Sequence, residues 1–197
     1  MPDEQGPLRL AERVADTARE LGIDTVLIGA YALAAHDYVR ATADLDLASA
    51  VQPSELQALA TKLAELGLHV AVYSPDEQDD LGGKVVVWEE ADEDGDPVEP
   101  VEVVNFLNIH RPRRNPAVEA IRHASPLAGL PSLRYPKLEH LIALKLDAGA
   151  PKDELDVIEL LQRNRDADVE VIRATCKTYG LERIDALIDV VKRRLDA

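Results

Sequence analysis

Apolar positions recur at helical spacing over residues 10–21 and stop at Gly22, which predicts an amphipathic helix with a glycine C-cap. Residues 25–28 form a short apolar run, the pattern of a buried strand, and Gly29 turns the chain into an alanine-rich helix over about 31–37. Residues 45–47 lie in a second strand. Pro53-Ser54-Glu55 opens another amphipathic helix that ends at Gly67. Strands follow over 68–73, 84–88 and 101–107, with a Gly82-Gly83 turn and an acidic turn over 92–97 between them. Beyond Arg111-Pro112-Arg113-Arg114-Asn115-Pro116 the period changes. Helices are expected over 117–123, 136–147, 152–163, 169–179 and 181–195, with breaks at Pro151 and Gly180. The pattern predicts a mixed α/β (α+β) region over 1–115 and a helical region over 116–197.

Composition narrows the picture. The chain has 197 residues, 46% of them hydrophobic, enough for one domain or a small domain with a helical annex. No run of about 18 apolar residues occurs, so no membrane span is expected. Residues 1–5 are polar and acidic and lack the basic and apolar regions of a signal peptide. Cys176 is the only cysteine, which excludes an intrachain disulfide and a cysteine-based zinc site. A reducing cytoplasm is the expected location. The net charge of −15 repels nucleic acid at long range and suits a basic partner. Basic residues cluster locally at Arg111, Arg113 and Arg114, in a segment suited to an RNA backbone or a triphosphate. With one Phe and one Trp, a stacking platform for bases is not supported.

The candidate chemistry centres on Asp44-Leu45-Asp46-Leu47. In a strand, residues two apart share a face, so Asp44 and Asp46 project together while Leu45 and Leu47 enter the core. Two adjacent carboxylates raise each other's cost of ionisation, and a divalent cation removes it. Oxygen-only ligands favour Mg2+ or Mn2+, ions that commonly also hold substrate phosphates. Upstream, Gly29 permits close approach of backbone to phosphate, with Ala30 opening the following helix. Arg40 is suited to a phosphate or to holding the acidic pair from behind, and Thr42 to capping the loop. His36 reads as a structural helix-end residue.

Gly29, a helix, Arg40-Ala41-Thr42 and Asp44-Leu45-Asp46 together resemble the nucleotidyltransferase fold of the DNA polymerase β type. The closest likeness is to small bacterial nucleotidyltransferases of the AbiEii type, many of them toxins of toxin–antitoxin pairs. Ala30 stands where that family has a second Gly or Ser, and Asp37 where Gly is common. A second element, Leu141-Ile142-Ala143-Leu144-Lys145-Leu146 followed by Lys152-Asp153-Glu154-Leu155-Asp156, is similar to the family's helical signature.

The resemblance implies a third carboxylate from the strand over 101–107. Glu102 fits the register; Asn105 competes, and their opposite parity lets only one face the cleft. It also implies that Lys145 faces the nucleotide triphosphate, with Lys152, Asp153 and Asp156 in the same element. Read from residues alone, Lys145 in an apolar helix either snorkels or meets a buried anion, and the two aspartates could cap the helix or pair with Lys152. The implied catalytic set is Asp44, Asp46, Glu102 and Lys145. Asp44, Asp46 and Glu102 would hold metal, and Gly29, Ala30, Arg40, Thr42, Lys152 and Asp153 would hold the nucleotide.

The implied activity is metal-dependent transfer of a nucleoside monophosphate from a nucleoside triphosphate (NTP) to a hydroxyl acceptor on RNA, a tRNA end or a protein. A toxin of this kind would have a cognate antitoxin. Two rivals stand beside it: an antibiotic nucleotidyltransferase acting on a cationic drug, and a degenerate, non-catalytic protein that binds nucleotide or a partner.

Overall fold

The computed structural model describes residues 6–42 and 44–195, with side chains described as far as residue 194. The polar N-terminal residues 1–5 and Ala43 lie outside the described residues. In chain order the elements are α1 (Gly6–Glu20), β1 (Val26–Leu27), α2 (Gly29–Ala34), β2 (Leu45–Ser49), α3 (Pro53–Glu65), β3 (His69–Tyr73), β4 (Lys84–Trp88), β5 (Glu90–Ala91), β6 (Pro97–Val98) and β7 (Val101–Asn105). They continue with α4 (Ala117–Arg122), β8 (Ser125–Leu127), β9 (Leu130–Tyr135), α5 (Leu138–Ala148), α6 (Pro151–Arg163), α7 (Val169–Thr178) and α8 (Arg183–Leu195).

The main sheet has the order β1-β2-β7-β4-β3. Strands β2 and β7 run parallel; the other neighbours are antiparallel. Alternation along the strands gives the sheet two unlike faces. Leu45, Leu47, Val85, Val87, Val101 and Val103 are fully buried and share one face, against which α1 and α3 pack. The other face carries Asp46, Ala48, Lys84, Val86, Glu102 and Val104. Near Ala48 it is covered, because Ala48, Val26 and Ile121 of α4 form a small apolar cluster with Ile28 and Phe106.

One difference from the sequence reading lies in the second half. The segment before α5 contains a hairpin, β8–β9, where helices alone were expected. Pro126 and Pro131 obscure its alternation, since proline donates no ladder hydrogen bond. Gly129 makes the turn at φ 80°, a conformation that favours glycine. Strand β9 packs against α1 and β1, so this segment folds back on the first half. The principal core runs across residue 115, joining Leu10, Leu45 and Val103 to Leu133, Leu141, Leu160 and Leu187. Helix α5 is buried through Leu141–Lys145 and packs against α4, α6 and α7. Among the described residues no helix is long and apolar enough to cross a membrane.

Candidate functional site

Asp46 lies on β2, between β1 and β7 in the sheet. It pairs in register with Glu102 of β7, and its neighbours Leu45 and Leu47 lock β2 into the core. The Ile28 amide donates to the Asp46 carbonyl at 2.9 Å, which ties the start of α2 to this strand. Gly29 lies directly over the carboxylate. Its φ is 61°, and a Cβ at this position would stand 2.3 Å from Asp46 Oδ2. Glycine is therefore required twice, for the left-handed backbone and for the space Asp46 occupies.

The charge around Asp46 is unbalanced. Its carboxyl pKa is raised to about 6, first by burial, then by Asp44 and Glu102, with Lys145 and Lys84 acting in the opposite direction. Asp44 is exposed just before β2 and accepts a hydrogen bond from the Thr42 hydroxyl at 2.7 Å. Thr42 also donates to the Asp44 carbonyl, so its hydroxyl serves the loop.

Glu102 and Asn105 lie on opposite faces of β7. Glu102 shares the face of Asp46 and receives Lys84 Nζ on its two oxygens at 2.8 and 2.9 Å. Asn105 is completely buried on the other face. Its amide donates to the carbonyls of Val51 and Gly82 and accepts from the Val51 amide, which joins three segments of backbone.

A cleft of about 850 Å³ opens beside Asp46. Gly29, Arg40, Asp46, Lys145, Lys152 and Asp153 of the expected site line it, together with Arg111 and Arg113. An apolar wall of Ile28, Leu81, Val104, Phe106, Leu141 and Leu144 completes it. The lining does not include Ala30, Thr42, Asp44 or Glu102. Ala30 is buried in the first turn of α2, Glu102 is the register partner of Asp46 on β7, and Asp44 precedes β2. The Arg40 Nε is buried without a hydrogen-bond partner among the described residues. Arg113 forms a bidentate pair with Asp147 at 2.8 Å and also approaches Asp80, and Arg111 approaches Asp80 at 3.2 Å.

Lys145 is buried and meets two anions of α6. Its Nζ lies 3.0 Å from Asp153 Oδ1 and 2.7 Å from Asp156 Oδ2; the latter is an ion contact whose angles fall short of a hydrogen bond. Asp153 also accepts the Ala150 amide at 3.2 Å, closing the start of α6. An ammonium has three protons and, among the described residues, only one is hydrogen-bonded, to Asp153, so Lys145 can still donate into the cleft it lines. Lys152 is exposed on the rim.

Two residues flagged in the sequence have structural roles here. His36 Nε2 contacts the Pro136 carbonyl at 2.8 Å and its ring packs edge-on against Tyr135. Asp37 adopts φ 62°, the left-handed conformation that explains why glycine would suit this position. Its carbonyl accepts from Arg163, and Asp37 does not line the cleft. Lys84 and Phe106 carried no local signal. Lys84 reads as one end of a β-branched strand, and only the β4–β7 register brings it to Glu102.

Among the described residues no three His, Cys, Asp or Glu side chains form a group that could hold a metal ion. Mg2+ asks for less, since one or two carboxylates usually suffice, with water and substrate phosphate completing the shell. The Asp44–Asp46 pair fits that requirement in its oxygen chemistry and its uncompensated charge. Glu102, held by Lys84, does not supply a free third carboxylate.

Neither a protein-family model nor a curated protein matches the sequence. Solved structures do. An antigenic nucleotidyltransferase-like protein from Paracoccidioides brasiliensis is similar over 96% of this chain and 93% of its own, at 16% identity and a TM-score of 0.55. ANT(2″)-Ia, crystallised with adenylyl-2″-tobramycin, matches over 95% of this chain and 97% of its own, at 19% identity and a TM-score of 0.44. JHP933 from Helicobacter pylori matches over 100% and 95%, at 15% identity and a TM-score of 0.44. The five-stranded mixed sheet with its flanking helices is a nucleotidyltransferase fold.

Proposed function

We propose that this protein is a divalent-cation-dependent nucleotidyltransferase. The observation that carries the reading is Asp46. It is fixed on β2 beneath Gly29, crowded by Asp44 and Glu102, and open to a cleft that Lys145 also lines. An NTP in that cleft would meet Lys145, Lys152 and Arg40 with its phosphates and the wall of Phe106, Val104 and Leu144 with its base. Asp44 and Asp46 would hold Mg2+ or Mn2+. Bound there, the ion supplies charge neutralisation at the triphosphate. The reaction forms a bond from an acceptor hydroxyl oxygen to the α-phosphorus and breaks the bond from that phosphorus to the bridging oxygen of pyrophosphate. The acceptor's proton passes to solvent. The chain's own contribution is positioning and electrostatics, the terms that dominate phosphoryl transfer.

The finer reading is the AbiEii-like one: a toxin that modifies an RNA end, a tRNA or a protein and is restrained by an antitoxin. It rests on the motif resemblance. Arg111 and Arg113 at the cleft support an anionic acceptor. The antibiotic reading has its own support, because Asp79, Asp80 and Asp147 line the same cleft and suit a cationic drug. Arg113 already engages two of these three, Asp80 and Asp147.

Each α-32P-labelled NTP, incubated with the protein, Mg2+ and in turn total RNA, total protein and an aminoglycoside, tests the reading. Label should enter one acceptor class with the native protein and not with Asp46→Asn. Transfer by Asp46→Asn at the native rate would refute the role of Asp46, and transfer to no acceptor by the native protein would leave the degenerate, binding-only rival.

A further inference from the structure

Four side chains on four adjacent strands form a row across the open sheet face. They are Asp46 on β2, Glu102 on β7, Lys84 on β4 and Tyr73 on β3. Asp46 and Glu102 are register partners, as are Tyr73 and Lys84. Lys84 stands two positions from Val86, the partner of Glu102, so it reaches Glu102 along the diagonal. Its ammonium contacts both Glu102 oxygens at 2.8 and 2.9 Å and lies 5.3 Å from the centre of the Tyr73 ring. The aromatic face and the carboxylate hold the cation between them. The Lys84 and Glu102 side chains are 35% and 21% exposed, so water screens the pair only in part.

A second cation beside Asp46 would need an oxygen ligand of its own, and Glu102, its register partner, is the carboxylate next to it on the sheet face. Here that carboxylate already has a positive charge at hydrogen-bond distance on each oxygen. A divalent ion could take Glu102 only by displacing Lys84 from both its partners. Resting on the nucleotidyltransferase reading, we infer that Lys84 is a built-in ammonium in the place of a second cation at Glu102, so that the site takes one divalent ion with each nucleotide. Lys84 is a positioning residue: it fixes Glu102 and supplies one permanent positive charge next to Asp46.

Mn2+ titration of the full chain, saturated with a non-hydrolysable NTP analogue and followed by electron paramagnetic resonance, tests this. One Mn2+ per bound nucleotide, with the spectrum of an isolated ion, is expected for the native protein and for Lys84→Arg. Lys84→Met should take two, with the broadened spectrum of a coupled pair, while its circular dichroism stays native. Two ions in the native protein would overturn the inference and leave the proposed function standing. No nucleotide-dependent Mn2+ at all would overturn both. A folded Lys84→Met that takes only one ion would show that Lys84 does not exclude the second. Should Lys84→Met fail to fold, the native and Lys84→Arg counts decide.

Discussion

On the sheet face, Asp46 and Glu102 lie near one lysine, Lys84, which gives both short contacts to Glu102, while Asp44 stands just before the strand. On α5 and α6, Lys145 sits between Asp153 and Asp156, and all three are buried. Both clusters contain more carboxylates than lysines. The helical cluster closes on itself, within hydrogen-bond reach and beside the Ala150 amide. The sheet cluster leaves Asp46 part-buried and crowded by like charge, and burial first, then Asp44 and Glu102, push its carboxyl up to about 6. A buried charge that is paired holds elements together; one left short of a partner is poised to bind. Lys145 belongs to both descriptions, because it braces α6 and also lines the cleft.

The sharpest contrast is in stability. Lys145→Met leaves two carboxylates buried without their cation and should cost about 3–5 kcal/mol in urea unfolding. A loss under about 1 kcal/mol would mean that the trio is not a structural clamp.

Asp46→Asn should move the other way. Asp46 binds its proton more tightly in the folded state than in the unfolded one. Its contribution therefore favours the fold below about pH 4 and is lost as the pH rises through about 6. Asp46→Asn should be more stable than the native protein at pH 8 by roughly 2–3 kcal/mol, with the gain shrinking toward pH 4. Nucleotide transfer should fall about a thousandfold at the same time. Equal stability of the two proteins across this range would remove the crowding on which the comparison depends.

Gly29→Ala tests the roof of the site. Its Cβ would collide with Asp46 Oδ2 in a left-handed backbone, at a cost of about 1–3 kcal/mol. Nucleotide affinity should fall more than for a control, Gly22→Ala, where φ is 76° but nothing stands within 4 Å. Equal losses of affinity at both positions would detach Gly29 from the site.

The smallest effect is expected at Lys84. Its pair with Glu102 is partly exposed, so Lys84→Met should change stability by no more than about 1 kcal/mol. A loss as large as that of Lys145→Met would make the sheet pair a structural clamp too.

Residues that act through local pattern were legible in the sequence. Asp44-Leu45-Asp46-Leu47 declared its two faces by alternation, and Leu45 and Leu47 are indeed fully buried. Lys145, the one charged residue within 141–146, required either a route to water or an anion, and it has two anions. What depended on strand register was hidden. Parity separated Glu102 from Asn105, but nothing along the chain placed Lys84 on Glu102 or turned the Asn105 amide onto Val51 and Gly82. The β8–β9 hairpin was masked by its prolines. The cleft's apolar wall draws on four separate segments, from Ile28 to Leu144, and no single window of sequence contains it.

The central claim is that Asp44 and Asp46 hold a divalent ion together with a nucleotide in the cleft. Calorimetric titration of each NTP into the native protein and into Asp44→Ala/Asp46→Ala, with Mg2+ and with EDTA, tests it most directly. The account predicts that at least one NTP binds the native protein with Mg2+, and that EDTA or the double substitution abolishes the heat while circular dichroism stays native. Binding that persists in the double variant, or no binding of any triphosphate by the native protein, would contradict it.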